Sequence, residues 1–241
     1  MPVSIAVVCE AAADKATGCD LADRVFCSEI DWITEGVLDN YRLWRGLEPH
    51  ESHLTWADAR KRAAAKNIKA HGHFDGVPGA LDAYAARRVL RLLKSNGNIP
   101  NAVILLRDDN RETERRNGLE QARQAAKIGT PVVIGLAHTK RECWVLAGFD
   151  PCDQNEQQAL DDLRKELGFD PRMHADKLTA KHGNDSKSAK RVLAALVGAN
   201  RDREAQCWIA TPLGDLESRG LETGLAAYLE EVRGLLLPLF K

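Results

Sequence analysis

The sequence holds no run of about 18 uninterrupted apolar residues, the minimum for a membrane-crossing helix. Its opening, Met1-Pro-Val-Ser-Ile-Ala-Val-Val-Cys9, lacks a basic n-region, and Glu10 ends the apolar stretch too early for a signal peptide. A cytoplasmic protein is expected. Cys9, Cys19, Cys27, Cys143, Cys152 and Cys207 form no C-x-x-C pair, and 241 residues are enough to fold without disulfide staples, so all six are read as reduced thiols. There is also no excess of positive charge. A formal net charge of −1 excludes a histone-like or tail-driven polycation, and any nucleic-acid contact has to come from a local patch. No Walker-type glycine loop, no G-x-S-x-G elbow and no Rossmann fingerprint occurs, so ATP hydrolysis by this chain alone is not expected. Internal repeats and low-complexity segments are likewise missing, and the polar stretch from His182 to Lys187 is the one candidate linker.

With 44% hydrophobic and 29% charged residues, the chain has the composition of a globular protein of one or two domains. Three short apolar runs read as buried strands: Val3 to Cys9, Ala102 to Leu106, and Val132 to Ala137. Helical patterns lie between and after them. Ala11 to about Val25, Trp56 to Ala65, Ala80 to Ser95 and roughly Glu112 to Lys127 read as helices, followed by Arg141 to Ala147, Gln154 to Leu167, Ser186 to Val197 and Gly224 to Leu237. Trp144, with Leu146 and Ala147 near it, is placed on a buried helix face. Asn67 to His71, running into Gly72 and Gly76, is a weaker strand candidate. Strands alternating with helices of this length predict an α/β fold, a parallel sheet flanked by helices, with a helical C-terminal extension. The expected organisation is a core over residues 1–150, with a loop-rich insertion at about 28–78, and an extension over 151–241.

In an open parallel sheet, ligands collect beyond the carboxyl ends of the strands. Here those ends are acidic. Glu10 follows the first strand, Asp108 and Asp109 follow the second, and His138, Thr139 and Glu142 follow the third. Carboxylates gathered at one rim repel one another unless they share a hard cation, which points to Mg²⁺ (or Mn²⁺) and phosphodiester chemistry. On that reading, removing one of these acids leaves the metal-free protein as stable as before or more so. The alternative is local: an Asp between a strand and a helix is also an ordinary N-cap, whereas a Glu closing an apolar run makes a poor one.

Val7-Val8-Cys9-Glu10-Ala-Ala-Ala-Asp14 resembles the opening motif of Toprim domains, an apolar strand, a Glu and a second acid four residues on. Leu105-Leu106-Arg107-Asp108-Asp109-Asn110 is similar to their second motif, an aspartate pair separated by one residue. Arg141-Glu142-Cys-Trp144-Val-Leu-Ala147 resembles a stretch of small stand-alone Toprim proteins related to the OLD (overcoming lysogenisation defect) nucleases. The order covers roughly residues 3–147. Ala11 stands where the family usually has Gly, and the second aspartate of the pair falls on Asn110 unless Asp109 takes that role in a shifted register.

The resemblance implies a Toprim-like sheet and a Mg²⁺-dependent nuclease or nuclease subunit. Glu10 and Asp108 would hold one or two ions, helped by Asp14, Asp109 or Asn110, with Glu142 as a further ligand. Lys187, in Asn184-Asp-Ser-Lys-Ser188, resembles the position from which OLD-type nucleases supply a lysine to the scissile phosphate. A bacterial setting, phage defence and a separately encoded ATPase partner are implied as well. Arg107, Arg111, Arg115, Arg116 and Arg123 form a candidate grip on nucleic-acid phosphates, or else a solvated helix face paired with Glu112, Glu114 and Glu120. Arg60-Lys-Arg62 with Lys66 and Lys69 is a second basic stretch open to the same two readings. His50 with His53, and His71 with His73, lack the Cys or acidic ligands of a zinc site and read as loop histidines. The other function class open to the sequence is a catalytically weak Toprim-like module that binds a partner or a nucleotide.

Overall fold

The computed structural model describes residues 2–70, 77–112, 114–126 and 129–240. The chain divides into two compact units, the first made of Met1–Arg107, Glu112–Leu136 and Glu230–Lys241, the second of Asp108–Arg111 and Ala137–Leu229. The chain passes from one unit to the other after Arg107, Arg111, Leu136 and Leu229.

The first unit carries the sheet. Its elements are β1 (Val3–Cys9), α1 (Ala12–Glu29), α2 (Glu35–Leu38), β2 (Arg42–Arg45), β3 (Leu54–Thr55), α3 (Trp56–Ala65), α4 (Ala80–Ser95), β4 (Ala102–Asp108), α5 (Arg115–Ala126) and β5 (Val132–Ala137). The strand order is β2-β1-β4-β5, with β3 also on β1, and β1 runs parallel to β2, β3 and β4. Strands β1, β4 and β5 are continuous apolar runs because they are covered on both faces, as a parallel sheet requires. One face, with Ala6, Val8, Val103, Leu105 and Ile134, packs with Ala59 and Ala63 of α3, Val89, Leu90 and Leu93 of α4, and Leu119 and Ala122 of α5. On the other, a Cβ at Gly18 of α1 would meet Leu106 Cδ1 at 2.5 Å, which places α1 hard against β4. Helices α4 and α5 approach as closely: a Cβ at Gly118 would meet the Gly79 carbonyl oxygen at 2.1 Å. The fold is therefore the expected α/β arrangement of a five-stranded parallel sheet flanked by helices.

Strands β2 and β3 fall inside the stretch expected to be loop-rich. Arg-Leu-Trp-Arg of β2 shows no apolar run. It is held by its neighbours instead: Phe26 stacks on Trp44 at 6.2 Å, and Asp23 accepts hydrogen bonds from Arg42 and from Trp44 Nε1. Asn67 to Ala70 forms no strand, since Asn67 turns the chain after α3 at φ 52°. The last residue of that strand candidate, His71, and the loop through Gly72 and Gly76 lie outside the described residues, and so does the His71–His73 pair.

The second unit is helical, with α6 (Arg141–Ala147), α7 (Gln154–Leu167), α8 (Ala189–Val197), α9 (Arg201–Ile209), α10 (Leu213–Arg219) and α11 (Leu225–Leu235), whose residues from Glu230 belong to the first unit. Trp144 is 3% exposed, as its placement on a buried helix face requires. It stacks on Tyr228 at 5.1 Å and its Nε1 donates to the Thr223 carbonyl at 2.8 Å. Helices α9 and α10 were not legible in the sequence. α9 is largely polar and rests on two buried apolar residues, Cys207 and Trp208, with Asn200 capping its first turn at Arg203 N. All six cysteines are free thiols. Among the described residues, no helix is long and apolar enough to cross a membrane.

Candidate functional site

In the first unit, Glu10 follows the last residue of β1. The β1–β4 register pairs Val8 with Leu105, so Glu10 and Arg107, each two residues further on, come side by side. Arg107 Nε stands 3.8 Å from Glu10 Oε1, and the Glu10 side chain is 44% exposed. Asp14, in the first turn of α1, faces the backbone instead, where its Oδ2 accepts the N–H of Ala11 at 2.8 Å and of Glu10 at 3.2 Å. This carboxylate satisfies donors that a helix start leaves open and sits favourably on the helix dipole. Burial and the Asp14 charge push the Cys9 thiol up to about 12, which disfavours the thiolate.

Behind Glu10 lies a buried ion cluster. Asp82, on α4, receives Arg107 Nη1 at 2.7 Å and Arg115 Nε at 3.2 Å through one oxygen, Oδ1. Burial pulls the Arg107 guanidinium below the usual arginine range while Asp82 opposes the shift. Asp82 is the buried acid of this cluster, while Glu10 and Glu112 meet the same two arginines from more exposed positions. Arg115 also meets Glu112 at 2.8 Å and is nearly buried, so its guanidinium ties α4 to α5 and is not presented to solvent. Arg116 pairs with Glu120 at 3.4 Å, and Arg123 with Glu231 at 2.9 Å, the pattern of a helix face with charge partners.

In the second unit, Asp108 at the end of β4 and Asp109 after it are tied to backbone. Asp108 Oδ1 accepts the N–H of Arg141 at 2.7 Å and thereby caps α6, for which Lys140 offers no side-chain cap. Asp109 is buried: Oδ1 accepts the N–H of Arg111 at 2.7 Å, and Oδ2 lies 2.5 Å from His138 Nδ1. Asn110 and Arg111 both adopt left-handed backbone, φ 48° and 68°, an arrangement closed by the Asp109–Arg111 bond and by Asn110 N donating to the Thr139 carbonyl. The Arg111 guanidinium donates to the Thr179 carbonyl at 2.8 Å. Glu142 is half-buried in the first turn of α6, and Lys187 is exposed in the loop before α8. His53 Nδ1 shares a hydrogen bond with Ser52.

Among the described residues, no three His, Cys, Asp or Glu side chains gather as a metal-binding group. Comparison with protein-family models, curated proteins and solved structures found no match. Two participants are hidden in the sequence. Asp82 sits within an amphipathic helix and looks like an ordinary solvent-facing acid, and nothing in its spacing reveals that it serves two arginines. His138 stands visibly beyond the third strand, but its pairing with Asp109 depends on adjacent strand ends and has no signature along the chain. An imidazole held at Nδ1 by a buried carboxylate is an arrangement that orients the ring for proton transfer at Nε2.

Proposed function

We propose that this chain is a Mg²⁺-dependent nuclease, or the nuclease subunit of a larger assembly, of the Toprim kind related to OLD nucleases. It acts on phosphodiesters of DNA or RNA, with a separate ATPase as partner and a role in phage defence. The observation that carries this reading is Glu10, a half-exposed carboxylate closing a buried parallel strand, with the Arg107 cation beside it. Mg²⁺ takes one or two carboxylates and leaves its other positions to water and substrate phosphate, a demand Glu10 fits, whereas a zinc site asks for three or four protein ligands. When bound, the ion supplies charge neutralisation at the phosphate and lowers the pKa of a water. Arg107, anchored by Asp82, holds fixed positive charge next to Glu10 and would stabilise the charge that develops on the phosphate oxygens.

The test is cleavage of single- and double-stranded DNA and RNA with Mg²⁺, Mn²⁺ or EDTA, at low and moderate salt, with and without the host ATPase. Expected are weak activity of the chain alone, robust activity with the partner, and loss of both in Glu10→Gln. Cleavage that persists in EDTA or in Glu10→Gln overturns the metal assignment, and efficient cutting by the chain alone overturns the partner. A second reading, a Toprim-like binding module with little catalysis, is favoured by the carboxylates of Asp14, Asp108 and Asp109, all of which accept backbone N–H groups. A complex that binds nucleic acid and never cleaves it is the outcome that reading expects.

A further inference from the structure

On the α3–α4 side of the first unit lies an open pocket of about 390 Å³, within the size range of small-molecule sites. Helix α3 contributes Trp56 and Arg60, one turn apart, and α4 contributes Tyr84 and Arg88, also one turn apart. Arg107 of β4 completes the polar lining, and no acid is among the described lining residues. The chemistry of the wall is therefore three cations interleaved with two aromatic rings.

The planar groups are already paired. The Arg107 guanidinium carbon lies 5.0 Å from the Trp56 ring centroid, and that of Arg88 lies 4.5 Å from the Tyr84 centroid. Trp56 is fixed because its Nε1 donates to the Leu106 carbonyl at 2.9 Å. The pocket is lined by the guanidinium-bearing Arg60, Arg88 and Arg107, positive charge that a ligand anion would meet. A purely apolar ligand would leave that charge without a counter-ion. A bare anion would leave the aromatic shelves unused. A planar heterocycle carrying a phosphate uses both, since bases stack on aromatic rings and guanidinium planes while arginine binds phosphate oxygens.

We propose that this pocket binds a nucleobase together with its phosphate, the base stacking between the Tyr84–Arg88 and Trp56–Arg107 pairs and the phosphate held by Arg60, Arg88 and Arg107. The source of that chemistry is either a free nucleotide or one nucleotide of a single strand. The pocket shares Arg107 with the nuclease reading but requires neither a metal ion nor cleavage, so binding in EDTA, read through Tyr84 and Arg88, can fail or hold independently of it.

The experiment is equilibrium binding in EDTA, with the full chain and three probes: 5′-AMP, a fluorescein-labelled single-stranded oligothymidylate, and inorganic phosphate. Expected is binding of AMP or the oligonucleotide much tighter than that of phosphate, weakened about tenfold or more by Tyr84→Ala and by Arg88→Gln, the scale of one lost base stack. Tyr84 is partly exposed and Arg88 lies on the same helix surface, and circular dichroism melting establishes that both variants keep the fold. Binding of the oligonucleotide without AMP assigns the site to a strand, and comparable binding of AMP assigns it to a free nucleotide. Phosphate binding equal to that of AMP, or affinities unmoved by both substitutions in folded protein, overturns the proposal. So does failure of AMP and the oligonucleotide to bind at all.

Discussion

Asp82 Oδ1 and Arg107 Nη1 lie 2.7 Å apart inside the first unit, and the same oxygen also serves Arg115. Asp82 is thus the buried partner shared by two guanidinium groups. Removing it leaves them only the more exposed Glu10 and Glu112, which costs more than the ion pair itself contributes. Asp82→Ala is expected to destabilise the protein by about 3–5 kcal/mol, the range for breaking a buried pair by deleting one partner. Urea denaturation read by circular dichroism checks this, and a loss under about 1 kcal/mol, the scale of exposed pairs, would show that the arginines find water instead.

The Asp108 carboxylate caps α6, and this reverses the sign of an effect expected from the sequence. Crowded acids at a metal-free rim would gain stability when one is deleted. A cap loses it. Asp108→Ala is expected to cost about 1 kcal/mol, the usual penalty for removing a side chain that accepts a helix-start N–H. Equal or higher stability of the variant in chemical denaturation would restore the repulsion picture.

Acid should weaken the second unit through Glu156. Its carboxylate accepts hydrogen bonds from Arg203 Nε and Nη2, both at 2.7 Å, and Arg203 holds it down to about 2. A carboxyl depressed in the folded state contributes its stability above its unfolded pKa and loses it as pH falls through the folded one. The contribution, at most roughly 3 kcal/mol by linkage, is present above about pH 4.5 and disappears towards pH 2. Glu156→Gln should flatten the pH dependence of the melting temperature across that window. An unchanged slope would assign acid sensitivity to other groups.

Trp144→Ala should cost about 3–5 kcal/mol, the range for truncating a large buried aromatic side chain. Part of the loss comes from the Tyr228 stack and part from the Thr223 carbonyl left without its indole donor. Trp144→Phe keeps the stack and deletes only the donor, and its smaller loss in the same denaturation experiment separates the two.

The sheet was readable wherever burial on both faces forced a continuous apolar run, as in Val3–Cys9 and Val132–Ala137. Strand β2 was not, because its four residues are held by Asp23 and Phe26 from α1, partners that leave no periodic trace in Arg-Leu-Trp-Arg. Helices α4 and α7 announced themselves by amphipathic spacing, while α9 has too few apolar positions to do so. At the site, Glu10 stood out because a glutamate after an apolar run is unusual. Asp14 and Asp108 were visible as acids, but whether each faces an ion or a backbone N–H depends on side-chain direction, which sequence spacing does not encode. The pocket wall was visible only in fragments: Trp56 among scattered tryptophans, Arg60 in a basic stretch, Tyr84 and Arg88 on one amphipathic helix.

The Glu231 carboxylate accepts the N–H of Ile134 at 2.7 Å and pairs with Arg123, and Phe240 packs on Phe26 of α1 at 4.7 Å. Strand β5 lies at one end of the sheet order, where open N–H groups invite unwanted pairing, and Glu231 occupies one of them. Glu231 and Phe240 follow the whole of the second unit in the sequence. During synthesis, then, the sheet must wait with this edge group uncovered while more than ninety intervening residues leave the ribosome, about 97 positions separating Ile134 from the side chain that closes it. The first unit gains this contact only after the second has been made.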